Sequence, residues 1–141
     1  MLSQTAEYAL RAAIRLARPD DGAPVAVGDV ARELDVPRNY LSKILHKLAR
    51  EGVVESVRGP GGGFRLAGAP GAVTLLEVVG IFDDLSPGRT CVLGRAECSD
   101  VDPCPVHGRW APVAEEIARF LSETTLADVA RGADAAVPSR G

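Results

Sequence analysis

Aromatic residues are scarce in this 141-residue chain: three Phe, two Tyr and one Trp make up 4%, against 46% hydrophobic residues in all. A core built from such a sequence is aliphatic and rich in alanine, which leans towards helices. Long apolar runs are missing too. The most apolar stretch, residues 73–82, is too short to cross a bilayer and contains Glu77, so no membrane partner is expected. The opening MLSQTAEYALRAA has no basic segment followed by an apolar one, so it is not read as a secretory signal and the protein is expected to be cytoplasmic. Internal repeats are absent. So is any Ser/His/Asp set in a recognisable context, and the carboxylates are scattered; neither an enzyme nor a small-molecule substrate is expected. Cysteine is missing everywhere but in one segment, where Cys91, Cys98 and Cys104 fall with His107 inside seventeen residues, spaced C-x6-C-x5-C-x2-H. An odd number of thiols in a reducing compartment argues against a disulfide framework.

What is present is unevenly arranged. The net charge is −3, but residues 36–65 carry six Lys/Arg against two Asp/Glu, while residues 68–141 carry six against eleven. A basic patch on an acidic chain suits an anion such as DNA; a solvated helix face has the same composition. The length fits one compact domain, or one domain with an added helix.

Periodicity gives the elements. Ala6, Ala9, Leu10, Ala13, Ile14 and Ala17 repeat at helical spacing behind Ser3, a suitable N-cap. A turn at Pro19-Asp20-Asp21-Gly22 follows, then a short helix over Val27–Leu34. Pro37 suits the first turn of a third helix, which carries Leu41, Ile44, Leu45 and Leu48 on one face and ends near Arg50 before Gly52. Residues 53–57 then read as a strand, residues 59–63 as a glycine-rich turn and residues 64–66 as a returning strand. Two helices joined by a tight turn and followed by a hairpin read as a winged helix-turn-helix. Thr74 and Glu77 give a capping-box pattern for a fourth helix. A long amphipathic helix with Trp110, Val113, Ala114, Ile117 and Leu121 on one side follows the cysteines. Thr125 and Asp128 suit the start of one more helical turn. The expected organisation is a DNA-binding domain over residues 1–70, a connecting helix over 71–85, a cysteine segment over 86–108, a dimerisation helix over 109–130 and a disordered tail over 131–141. The fold class is mainly α with a small β-hairpin.

With its leucine face inward, the third helix leaves Arg38, Asn39, Ser42, Lys43, His46 and Lys47 outside. The N-terminal end of such a helix meets base edges in the major groove. Arg can bridge guanine and Asn can bridge adenine, whereas Lys43, Lys47 and Arg50 suit phosphates. A slim tip at Gly61 and Gly62, flanked by Arg58 and Arg65, lets backbone approach DNA closely and sets an arginine beside a minor groove. The glycines are not a nucleotide-phosphate loop, because the G-x-x-x-x-G-K-[ST] pattern is absent. Protein-interaction modules share the helix–turn–helix–hairpin order, but order and basic surface together favour double-stranded DNA.

Three thiolates and an imidazole are ligands for zinc or for an iron–sulfur cluster. The same thiols without metal form a disulfide switch, or are incidental. Glu97, Asp100 and Asp102 and the lack of aromatics between the cysteines make an RNA-binding finger a poor fit. A cluster-bearing enzyme or electron carrier, or a metal-stapled adaptor, would require neither the basic helix nor the wing.

The run Tyr40-Leu41-Ser42-Lys43-Ile44-Leu45-His46-Lys47-Leu48, then Glu51-Gly52-Val53-Val54 and Arg58-Gly59-Pro60-Gly61-Gly62-Gly63-Phe64-Arg65-Leu66, resembles the IscR/NsrR family of bacterial regulators. The resemblance runs from Ser3 to about Val129. It implies a homodimeric transcription factor that binds a pseudo-palindromic operator, with Tyr40 joining the DNA-contact set. It also implies a 2Fe–2S or 4Fe–4S cluster on Cys91, Cys98 and Cys104 that responds to redox state, nitric oxide or cluster supply. Two fourth ligands are implied: His107, or Glu7 reaching from the first helix of the other subunit. Arg11 stands where one redox-sensing branch has a histidine ligand, so that ligand set is not reproduced. The six-residue first interval is longer than in several members, which bears on cluster type. Glu7 also has a plain role as an i,i+4 partner of Arg11.

Overall fold

The computed structural model describes residues 2–18, 22–85 and 105–130. Cys91, Cys98 and Cys104 and the expected tail over residues 131–141 lie outside the described residues.

Alanine spacing shapes the first element. Helix α1 (Gln4–Leu16) turns Ala6, Ala9, Ala12 and Ala13 inward, each fully buried. Alanine loses no side-chain freedom on burial, and its small volume keeps neighbouring axes close. The Ser3 hydroxyl caps the helix by accepting the Ala6 N–H at 3.1 Å. Helices α2 (Val27–Leu34) and α3 (Arg38–Arg50) form the helix-turn-helix. Their turn depends on Asp35, which ends α2 in the left-handed region at φ 55°, a conformation that short polar side chains tolerate. The Val36 N–H then returns to the Ala31 carbonyl at 3.0 Å, and the Val36 side chain is buried. Pro37 was expected inside the first turn of α3 and stands one residue earlier, as its N-cap.

Leu41, Ile44, Leu45 and Leu48 of α3 enter the core as their spacing predicts. The helix closes at Gly52, φ 81°. There the Gly52 N–H reaches the Ala49 carbonyl at 3.1 Å and the Val53 N–H reaches Leu48 at 3.0 Å. This pair of bonds satisfies carbonyls that would otherwise be left open. Strands β1 (Val54–Val57) and β2 (Gly63–Leu66) pair antiparallel, with Val54 opposite Leu66 and Val57 opposite Gly63. Val25, just ahead of α2, bridges Phe64 through bonds of 2.8 and 2.9 Å, which stitches the wing to the helix-turn-helix.

A single 3-10 turn, Pro70–Ala72, leads to α4 (Leu75–Val79), capped by the Thr74 hydroxyl on the Glu77 N–H at 3.1 Å. Helix α5 (His107–Glu123) starts three residues before Trp110, where the spacing placed its beginning, and carries Pro112 within it. Helix α6 (Leu126–Ala130) opens with Thr125 and Asp128 exchanging bonds of 2.9 and 3.2 Å. The Leu75 N–H donates to Thr124 and the Leu126 N–H to Val73, both at 2.9 Å, so the end of α5 is clamped to the start of α4. The largest fully buried side chains come from α2, α3, β1, α4 and α6: Val30, Leu41, Leu45, Leu48, Val54, Val78, Val79 and Leu126. The result is a mostly helical protein with a two-stranded wing. Among the described residues no helix is long and apolar enough to cross a membrane.

Candidate DNA-binding face and sensor segment

The leucine face of α3 is spent on the core, so its other side is available by geometry. Arg38, Asn39, Lys43, His46 and Arg50 are exposed, and Ser42 and Lys47 are half-buried. Arg38 leans over the first turn of α2: a Cβ added at Gly28 would lie 3.8 Å from its Nε. His46 stacks edge-on against Phe64 of β2, with centroids 5.3 Å apart. The wing therefore rests directly on the recognition helix.

Two residues of the expected DNA set face elsewhere as well. Tyr40 is half-buried, lies edge-on to Tyr8 with centroids 5.7 Å apart, and shares a hydrogen bond with the Thr5 hydroxyl. Its contacts are thus with α1, which fixes the angle of α3. Lys47 holds its ammonium 5.1 Å from the centre of the Phe82 ring, a cation–π distance. Sequence periodicity gave no sign of Phe82 as a neighbour of the recognition helix, because the two residues are far apart in the chain.

In the wing, Arg58 is exposed and Arg65 pairs with Glu55, its cross-strand neighbour. Gly61 adopts φ 75°. Gly62 donates its N–H to the Gly59 carbonyl at 2.9 Å, and a Cβ on it would lie 2.2 Å from the Val57 carbonyl oxygen. Gly61 serves the turn through its positive φ, with open space around it, whereas at Gly62 the turn has no room for a side chain.

The α1 side braces this face. Arg11 donates to the Leu34 carbonyl at 2.8 Å, closing the end of α2, and lies 5.9 Å from the Tyr8 ring centre. Arg15 binds Glu33, and this hydrogen bond holds the Glu33 carboxyl below its usual pKa. The contribution is present above the ordinary carboxylate range and is lost as pH falls through the lowered value. Acid therefore loosens the clasp between α1 and α2.

Of the expected metal ligands, Glu7 is half-buried in the first turn of α1, and His107 is the first residue of α5. Among the described residues no group of three His, Cys, Asp or Glu side chains could hold a metal. Cys91, Cys98 and Cys104 lie outside the residues that this statement covers. The chain leaves α4 for the cysteine segment through Phe82 and Asp83. The Asp83 carboxylate accepts the Ser3 backbone N–H at 2.7 Å and the Ser3 hydroxyl at 2.6 Å. That contact joins residues eighty positions apart.

Known proteins share both the sequence and this architecture. An HTH-type transcriptional regulator of Aquifex aeolicus is 37% identical over 131 residues, covering 92% of this chain and 90% of that protein. The HTH-type transcriptional regulator IscR of Klebsiella pneumoniae is 30% identical over 128 residues, covering 91% of this chain and 78% of its own. The solved structure of CymR, the global cysteine regulator of Bacillus subtilis, superposes with a TM-score of 0.77 at 23% identity, over 93% of this chain and 96% of that one. These relatives are regulators, not enzymes. The sequence pattern of Rrf2, described as an iron-dependent transcriptional regulator, matches residues 2–132. With that match over nearly the whole chain, and a basic recognition helix buttressed by a glycine-tipped wing, this protein belongs to the Rrf2 family of transcriptional regulators.

Proposed function

We propose that the protein is a cytoplasmic homodimer that binds a pseudo-palindromic operator through α3 and the wing, and that an iron–sulfur cluster on residues 86–108 controls its DNA affinity. The observation that carries the reading is the donor set. Every cysteine of the chain lies within seventeen residues of sequence together with His107, on a chain 30% identical to IscR. Three thiolates plus one nitrogen or oxygen ligand fit a 2Fe–2S or 4Fe–4S cluster. The cluster, when bound, supplies an oxidisable iron centre whose loss or change of state is the signal: redox poise, nitric oxide or cluster supply. Cys91, Cys98 and Cys104 would hold it. His107 is the preferred fourth ligand, because only two residues of chain separate it from Cys104. Glu7 of the other subunit is the rival.

The same donors also suit a tetrahedral zinc site, and thiols without metal can form a disulfide switch. Zinc, or a bare thiol switch, is therefore the second reading. Protein purified without oxygen is expected to be coloured and to contain iron and sulfide. Each of Cys91→Ala, Cys98→Ala and Cys104→Ala should remove the visible absorbance, since a thiolate ligand has no substitute in alanine. His107→Ala should lower cluster content more than Glu7→Ala; the reverse order would put ligation across the dimer. A colourless protein with one zinc per chain would replace the cluster by the second reading.

The DNA contacts separate into two kinds. Lys43→Ala should weaken every duplex alike and reduce the slope of log affinity against log salt by about 1. Asn39→Ala and Arg38→Ala should each cost about 1–3 kcal/mol at the preferred operator and relax preference at one base pair. Anisotropy titrations on selected and random duplexes over a range of salt distinguish them. If Asn39→Ala lowers both duplexes equally, base reading by the start of α3 is ruled out.

A further inference from the structure

We propose that Phe82 and Asp83 are positioning residues for the recognition helix, forming a two-armed connector between the cysteine segment and the DNA-reading face. The inference rests on the cluster-sensing reading and adds the route by which the signal travels.

Both residues are fixed to the end of α4. Their backbone N–H groups bond the Val79 carbonyl at 3.1 and 2.9 Å. From that base the side chains diverge. The Phe82 ring carries the Lys47 ammonium. The Asp83 carboxylate takes both Ser3 donors, and so sits at the positive end of the α1 macrodipole. Helix α1 passes this contact on, because Thr5 and Tyr8 hold Tyr40. Tyr40 and Lys47 are seven residues apart on α3, about two turns or roughly 10 Å along its axis. Helix α3 is thus held at two points on one side, and both holds trace back to two adjacent residues. Eight positions further along the chain is Cys91.

The arrangement makes two demands on any change in the cysteine segment that moves residues 82 and 83. The tilt of α3 changes, because Tyr40 follows α1. The freedom of Lys47 also changes, because its ammonium either stays over the ring or turns to a phosphate. A cation released from an aromatic face becomes available for counterion exchange with DNA, which shows in the salt slope. A merely structural role for Phe82 predicts a different result: on its loss a weakened core binds DNA less well in both states, with an unchanged slope.

The experiment measures DNA affinity against salt for protein reconstituted with iron and sulfide without oxygen, and for the same protein stripped by a chelator. The probe is a duplex enriched from random sequence by the wild-type chain. Iron content and thermal melting are recorded for every variant. The wild-type affinity ratio between the two states is expected on the order of 5–150-fold. Phe82→Leu and Asp83→Ala should each shrink that ratio while retaining iron, and the double variant should bring it close to one. Phe82→Leu should also steepen the salt slope by about 1 in the state where wild-type Lys47 is held. Phe82→Tyr, which keeps the ring, should behave as wild type. A wild-type affinity that responds to iron, with the wild-type ratio kept unchanged in both Phe82→Leu and Asp83→Ala, overturns the connector alone. A wild-type affinity that does not change on stripping overturns cluster sensing and the connector together.

Discussion

Gly63→Ala is expected to detach the wing and abolish selective DNA binding while most helical signal remains. Gly63 sits at φ 152°, and a Cβ there would lie 2.2 Å from the Val25 carbonyl oxygen and 2.7 Å from the Ala26 nitrogen. Those are backbone atoms, so no rotamer relieves the overlap. The chain must part at the Val25–Phe64 bridge, losing two hydrogen bonds of about 1 kcal/mol each. Strain in a glycine-favoured conformation adds about 1–3 kcal/mol. A loss of about 3–5 kcal/mol is a large share of the 5–15 kcal/mol that holds a small domain together, and it should lower the melting temperature on the order of 10 °C. Phe64 also leaves its place beneath His46, so the recognition helix loses its buttress. Two other glycines calibrate the effect. Gly59 has open space around it but φ 95°, so alanine there brings conformational strain alone. Gly68 has neither a neighbour within 4 Å nor a positive φ, so alanine there should be close to neutral. The expected order of damage is Gly63, then Gly59, then Gly68. A Gly63→Ala protein that melts with the wild type and binds operator normally would show that the bridge to Val25 does not hold the wing.

That series also marks where sequence reading reaches its limit. The glycine-rich turn and the alternation around it identify a hairpin, because short-range sterics decide turns. Helix α2 over Val27–Leu34, the Ser3 and Thr74 caps, the Gly52 stop and the leucine face of α3 are local in the same sense. Each is fixed by residues within one or two turns of one another. The bridge from Val25 to Phe64 and the bond from Ser3 to Asp83 join residues far apart in sequence, and periodicity carries no information about partners. Tyr40 illustrates the consequence for the site. Its place in the DNA-contact set came from its position in the resembling run, whereas its hydroxyl and ring are engaged by Thr5 and Tyr8. Lys47 reads as one more phosphate contact, and the Phe82 ring beside its ammonium is a neighbour that periodicity does not show. Arg11, expected either to mark an absent ligand or to pair with Glu7, closes the end of α2 at Leu34. For the proposed sensor, the donor set is inferred from the clustering of a rare residue type in the sequence, and Cys91, Cys98 and Cys104 fall outside the described residues.

Helix α5 has the same division, and the second large prediction follows from it. At about 100° per residue, its apolar residues spread over a stripe about 120° wide, from Phe120 and Val113 at one edge, through Ile117 and Trp110, to Leu121 and Ala114 at the other. The spacing put Leu121 and Ile117 in the dimer contact. In the structure Leu121 is only 5% exposed and belongs to the chain's own core, with Ile117 packed partly against it, while Val113 and Phe120 are 46% and 56% exposed. The chain's own core takes one edge of the stripe, and under the proposed homodimer the exposed edge is the one that meets a second copy. Phe120→Glu is therefore expected to give folded monomers with a melting temperature near that of one isolated subunit. Burying a phenylalanine contributes about 1.5–3 kcal/mol, and in a two-fold contact the loss counts twice. Binding to a two-half-site operator should collapse with it, because each monomer then meets its half-site alone. Leu121→Glu should act differently, placing an unpaired carboxylate in the core. It should cost more than the roughly 2–5 kcal/mol of simple truncation to alanine, and unfold the protein rather than dissociate it. Light scattering with thermal melting separates the two outcomes. If Phe120→Glu remains dimeric while Leu121→Glu gives well-folded monomers, the edge of α5 assigned to the partner and the edge assigned to the core must be exchanged.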